Sequence, residues 1–111
     1  MDYRLAKQLK ETGFPQICQW ALATMPWDRD APPRLFLMSE NDRSNSYVCL
    51  AAAGYEVVAD PTVAELLDAC GEVTLDGQLA DWVARSSWVE CCASTPEEAV
   101  ARLWLALNGH N

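Results

Sequence analysis

Apolar positions along the chain follow a helical period in three places, with short strand-like runs between them. Val100, Leu103, Trp104 and Leu107 fall at i, i+3, i+4 and i+7, one face of a helix opening at Thr95. Both ends are specified. Thr95 is an N-cap, Pro96 takes the first helical position, and Glu98 completes a Thr-x-x-Glu capping box. Glu97 adds negative charge at the positive end of the helix dipole, and Gly109 is expected to supply a left-handed stop. Val63, Leu66, Leu67 and Cys70 repeat the spacing, with a Thr62–Glu65 capping box and Gly71 as terminator. Residues 2–12 form the third such segment. Leu5 and Leu9 share a face with Ala6, Asp2 is a candidate cap, Gly13 ends the helix, and Phe14 is placed to pack on its end.

The intervening runs read as strands and turns. Arg34–Ser39 and Tyr47–Leu50 have strand character and flank the polar stretch Glu40–Ser46, which predicts a hairpin with a longer loop. Tyr55–Ala59 is a further extended piece. Val73–Leu75 enters a turn at Asp76-Gly77, and the return strand runs through Trp82–Arg85. Ser86-Ser87 is a turn or bulge before a strand at Trp88–Ala93. Ile17–Thr24 fits a helix through Cys18, Ala21 and Leu22, with a strand as the alternative; Met25–Pro33 is a Pro-rich loop. Hairpins imply antiparallel pairing, and amphipathic helices need a surface to cover. The expected fold is α+β: one small domain, an antiparallel sheet of two hairpins, about three helices packed on one face.

Composition changes this picture in three ways. The 111 residues are half apolar and include five Trp, so Trp20, Trp27, Trp82, Trp88 and Trp104 either carry much of the core or form an exposed contact patch. Net charge is −8, from sixteen acids and eight bases, which disfavours direct binding to nucleic acid or an anionic membrane and suits a basic protein partner. The five Cys are odd in number and lack Cys-x-x-Cys spacing, and the N-terminus is charged at Asp2, Arg4, Lys7 and Lys10. Reduced thiols in a cytoplasmic protein are therefore expected, with Cys91 and Cys92 on opposite faces of a strand.

Candidate chemistry is sparse. The single His, His110, lies beyond the last helix, where a preorganised nucleophile–base pair is not expected. No ligand spacing suggests a metal or other cofactor. Of the paired carboxylates, Glu97-Glu98 is explained by capping, and Asp28/Asp30 sits in a Pro-rich loop. The five Gly are isolated and fit caps or turns. Two loops remain as partner-binding candidates: Trp27, Asp28 and Asp30 with Arg29 between them, and Glu40 with Asp42.

Three ordered blocks carry a family likeness: Met1–Gln16, ending Gly-Phe-Pro-Gln; Pro61–Gly71, reading Pro-Thr-x-x-Glu-Leu through Ala-Cys-Gly; and Ser94–Asn108, opening Ser-Thr-Pro-Glu-Glu-Ala. Together they resemble a family of small proteins of tailed phages and prophages that has no assigned chemistry. The segment from Ile17 to Ala59 departs from it. The resemblance implies action in the cytosol of a bacterial host and brings no catalytic residue with it. The expectation is a non-enzymatic accessory protein acting on a host or phage protein, with an acidic inhibitor of a host defence complex (anti-CRISPR-like) as its sharpest form. The alternatives are a structural or assembly module of a phage particle, for which a homodimer is a natural state, and an enzyme of unrecognised class.

Overall fold

Leu5, Ala6 and Leu9 are buried along one side of the first helix, α1 (Tyr3–Thr12), in the computed structural model, which describes residues 1–25, 27, 28 and 30–109. The helix stops as the sequence requires. Gly13 takes φ +104°, its N–H reaches the Lys10 carbonyl, and the Phe14 N–H returns 2.8 Å to the Leu9 carbonyl, a Schellman closure that carries Phe14 into the core. Asp2 occupies the cap position but makes no side-chain capping bond.

The fold is α+β, built among the described residues from four helices and two three-stranded antiparallel sheets. The chain divides into two compact units, Asp2–Pro61 and Thr62–Asn111, each with its own sheet. The expected single sheet of two hairpins, with about three helices on one face, is thus replaced by two sheets and a fourth helix.

In the first unit β1 (Trp20–Thr24) lies between β2 (Arg34–Leu37) and β3 (Glu56–Ala59). The helix favoured for Ile17–Thr24 is corrected: its second half is the central strand. Ala21, Leu22 and Ala23 are all buried, and successive strand residues point to opposite faces, so both faces of β1 are covered here. A strand buried on both sides has no polar alternation, and its small residues mimic a helix pattern. The second correction is at Tyr47–Leu50, which belongs to α2 (Arg43–Ala52) and not to a hairpin strand. The Asp42 carboxylate accepts from Asn45 N–H and starts the helix. Ala51-Ala52 continues it, and Gly54 at φ +98° closes it through Gly54 N–H to Ala51 and Tyr55 N–H to Leu50. Tyr47 fixes α2 to the central strand region, its hydroxyl 3.0 Å from the Cys18 carbonyl and 3.2 Å from that of Trp20. The actual hairpin is β1–β2, closed by the Pro-rich stretch.

In the second unit α3 (Val63–Cys70) carries both halves of the Thr62–Glu65 capping box and packs on α4 (Pro96–Asn108). Thr95 caps α4 by accepting from Glu98 N–H at 3.2 Å, without the return bond from the Glu98 side chain. Gly109 is extended at φ −77°, not left-handed. Its N–H continues the helical pattern to Leu105, and the Asn108 side chain donates to the Trp104 carbonyl, so the last turn needs no Schellman closure. Ala99, Val100, Ala101, Leu103 and Trp104 are buried because α4 meets α3 and the sheet β4 (Thr74–Gly77), β5 (Trp82–Arg85), β6 (Glu90–Ala93) at once.

Asp76-Gly77 is not the turn. Both residues lie within β4, opposite Val83 and Trp82, and the chain reverses at Gln78–Asp81, where Gln78 N–H meets the Asp81 carbonyl at 2.7 Å. Gly77 serves by lacking a side chain, since a Cβ there would lie 3.2 Å from the Trp82 ring. The indole covers the glycine across the ladder, a pairing that competes with turn formation.

Candidate protein-binding surfaces

The loop residues proposed from sequence do not form one cluster. Trp27, Asp28 and Asp30 lie between β1 and β2, whereas Glu40 and Asp42 lie between β2 and α2, so an extended strand of about 13 Å separates the two loops. Arg29 and His110 fall outside the described residues. Trp27 is 65% exposed, yet it is seated: its ring stands against Gly54, where a Cβ would come within 3.0 Å, and 5.9 Å from Tyr55. Tyr55 also meets Phe36 edge-on at 5.9 Å, giving an aromatic row Trp27–Tyr55–Phe36. Asp28 lines a cleft of about 330 Å³ with Tyr3, Lys7, Thr24 and Glu56, and Asp30 and Glu40 are exposed. Asp42 is exposed as well, but its carboxylate is engaged in capping α2.

The titrating groups of this unit have local explanations. Lys7 Nζ lies 3.2 Å from Glu56, which raises the lysine pKa and lowers that of the carboxylate; Tyr3, pushed up mainly by burial, stands beside Thr24. These contacts tie α1 to the ends of β1 and β3.

The second unit holds a feature not singled out from the sequence. Trp88 is 88% exposed at the tip of the β5–β6 turn, which hydrogen bonds close. Ser86 N–H donates to the Val89 carbonyl at 2.8 Å, and Ser86 Oγ accepts from the N–H groups of Trp88 (3.2 Å) and Val89 (3.1 Å). The turn holds the backbone at Trp88, so docking of the indole orders its side chain alone. Beside the turn is a cleft of about 560 Å³ lined by Glu72, Val73, Thr74, Arg85, Ser86 and Ser87. Arg85 is matched on its own face of the sheet by Glu90 at 2.9 Å and Asp76 at 3.4 Å.

No family model, curated protein or solved structure matches this chain. The arrangement of its own charges and surfaces therefore carries the functional reading.

Charge divides unevenly between the units. Thr62–Asn111 has eight acids against two bases, and Asp2–Pro61 eight against six, so six of the eight net negative charges belong to the second unit. The sequence signal was available by counting each half, but the cap-and-turn pattern that marks the halves gave no reason to divide there. Among the described residues no three His, Cys, Asp or Glu side chains stand together in a way that could hold a metal ion, and no helix is long and apolar enough to cross a membrane.

None of the five cysteines is in a disulfide. Cys49 and Cys92 are exposed, Cys18 is buried, and Cys91 is half-buried with its pKa raised by burial and by Cys92 beside it. Burial pushes the Cys70 thiol from 9.0 up to about 11, with Sγ 3.9 Å from the Val100 carbonyl. Its folded pKa lies above the unfolded value, so its contribution to stability is present below pH 9 and lost as pH rises towards 11. A two-unit rise lowers the thiolate fraction about 100-fold at neutral pH. Iodoacetamide labelling followed by peptide mass spectrometry is expected to modify Cys49 and Cys92 early and Cys70 roughly two orders of magnitude more slowly. Equal rates would place Cys70 in solvent.

Proposed function

We propose that this chain is a non-enzymatic phage or prophage accessory protein that works by protein–protein binding, with Thr62–Asn111 as the binding unit. Its partner is a host protein with a basic, nucleic-acid-binding surface, and the sharpest form of the reading is an anti-CRISPR-like inhibitor of a host defence complex. The observation that carries it is the concentration of negative charge on this unit, six net charges where one of the two bases, Arg85, is already matched between Asp76 and Glu90. A surface of one sign steers association with a surface of the other and competes there with phosphate backbones. Trp88, exposed on the turn whose Ser86 and Ser87 line the cleft, supplies an apolar anchor that charge alone does not. The phage-family likeness supports a bacterial cytosolic setting.

The test is affinity capture from bacterial lysate with the tagged chain, with elution by a salt gradient and by competing DNA or RNA. A nucleic-acid-binding protein is expected, released by moderate salt and displaced by the competing polyanion. Glu72→Lys and Trp88→Ala are each expected to weaken capture, the latter about 10- to 30-fold. Capture indifferent to salt, to nucleic acid and to both substitutions would overturn the reading.

A further inference from the structure

Each sheet edge in this protein has a distinct chemistry, and one differs from the rest. The outer edge of β3 is obstructed: Lys10 Nζ donates to the Val57 carbonyl at 2.9 Å and Gln16 Oε1 accepts from the Ala59 N–H at 2.8 Å, so side chains occupy two of its outward-pointing groups. The edge strands of the second sheet carry carboxylates, Asp76 on β4 and Glu90 on β6, which discourage pairing. In β2 the only charge is Arg34 at its first residue, and Leu35, Phe36 and Leu37 carry neither device. Met38 N–H bonds to the Gln19 carbonyl, which fixes the ladder phase. Phe36 therefore bonds inward to β1, while Leu35 and Leu37 direct their N–H and C=O groups outward. These outward groups have no hydrogen-bond partner among the described residues. The same two leucines are 55% and 59% exposed and share one face of the sheet.

We propose that β2 pairs antiparallel with β2 of a second copy of this chain, joining two three-stranded sheets into one of six strands. The register follows from the ladder. The outward-bonding residues are 35 and 37, so the two-fold axis passes beside Phe36, Leu35 faces Leu37 of the other copy, and Leu37 faces its Leu35. Four backbone hydrogen bonds and two apolar cross-strand pairs result. The strand is self-complementary in this register, as an isologous contact requires. Charge favours the same choice, because Asp2–Pro61 carries only two of the eight net negative charges and two copies meeting through it repel weakly. The side chains of Lys10 and Gln16 on the β3 edge end growth at two copies. The interface is short, so the dimer dissociates on dilution through roughly the micromolar range.

Sedimentation equilibrium of the full chain over a concentration series tests this, with far-UV circular dichroism to check folding; both leucines are more than half exposed, so polar replacements leave the fold intact. The wild type is expected to approach twice 12.3 kDa. Leu35→Lys with Leu37→Lys puts lysine opposite lysine and is expected to be monomeric throughout. Leu35→Glu with Leu37→Lys puts glutamate opposite lysine in this register alone, and is expected to restore a dimer that weakens with salt. A wild type that stays monomeric to millimolar concentration overturns the proposal, including one whose β2 instead binds another protein. So does a dimer unaffected by the two lysines, or a folded Glu/Lys variant that remains monomeric.

Discussion

Trp104→Ala is expected to destabilise the protein by about 3–5 kcal/mol. Trp104 lies on the face of α4 that includes Val100 and Leu103, all three buried, and α4 is enclosed by α3 on one side and by the sheet on another. Removing a buried indole from this helix leaves a void that its neighbours fill only by moving. For a chain of this size the midpoint of thermal unfolding should fall by roughly 15–25 °C. Trp104→Phe keeps most of the ring and should cost less than half as much. Urea unfolding followed by circular dichroism measures both. A loss below about 1 kcal/mol for the alanine variant would mean that α4 is not the central helix of its unit.

The second large effect is expected at Leu9→Ala, about 2–5 kcal/mol. Leu9 is fully enclosed, and its carbonyl accepts the Phe14 N–H that closes α1, so the same turn that loses its core contact also aims Phe14 inward. Leu9→Met conserves volume and should cost under about 1.5 kcal/mol. If the two variants unfold at the same urea concentration, the α1 face is not core and the closure at Gly13 is incidental.

These two helices, with α3, were the most legible parts of the sequence, because an apolar stripe and a terminator agree at each and a side-chain cap starts α3 and α4, though Asp2 makes no capping bond on α1. Gly109 is a partial exception: the residue was identified as the end of α4, but Asn108 made a left-handed closure unnecessary. The reading failed where burial removes periodicity or where two local preferences compete. β1 is covered on both faces and looks helical through its alanines. Tyr47, Val48 and Cys49 favour a strand individually, but Asp42 capping and the following alanines make them a helix. The pairing of β2 with β1, and the split into two sheets, depend on long-range contacts that no short window encodes. The surfaces were legible in part. Trp27, open between core and contact patch but placed in a candidate binding loop, is exposed, whereas Trp88 was placed within a strand and lies at the tip of the turn made by Ser86.

The pairing of Gly77 with Trp82 has a consequence for how the sequence can drift. A side chain at 77 would press on the indole at 3.2 Å, so the ring must yield by a few tenths of an ångström before position 77 can grow, and the two positions are coupled. A residue larger than glycine at 77 becomes acceptable once Trp82 has shrunk, and a small residue at 82 bares the strand unless 77 grows. Among descendants of this chain the two sites should covary, and lineages that cross from one pairing to another should pass through the smaller tryptophan replacement first.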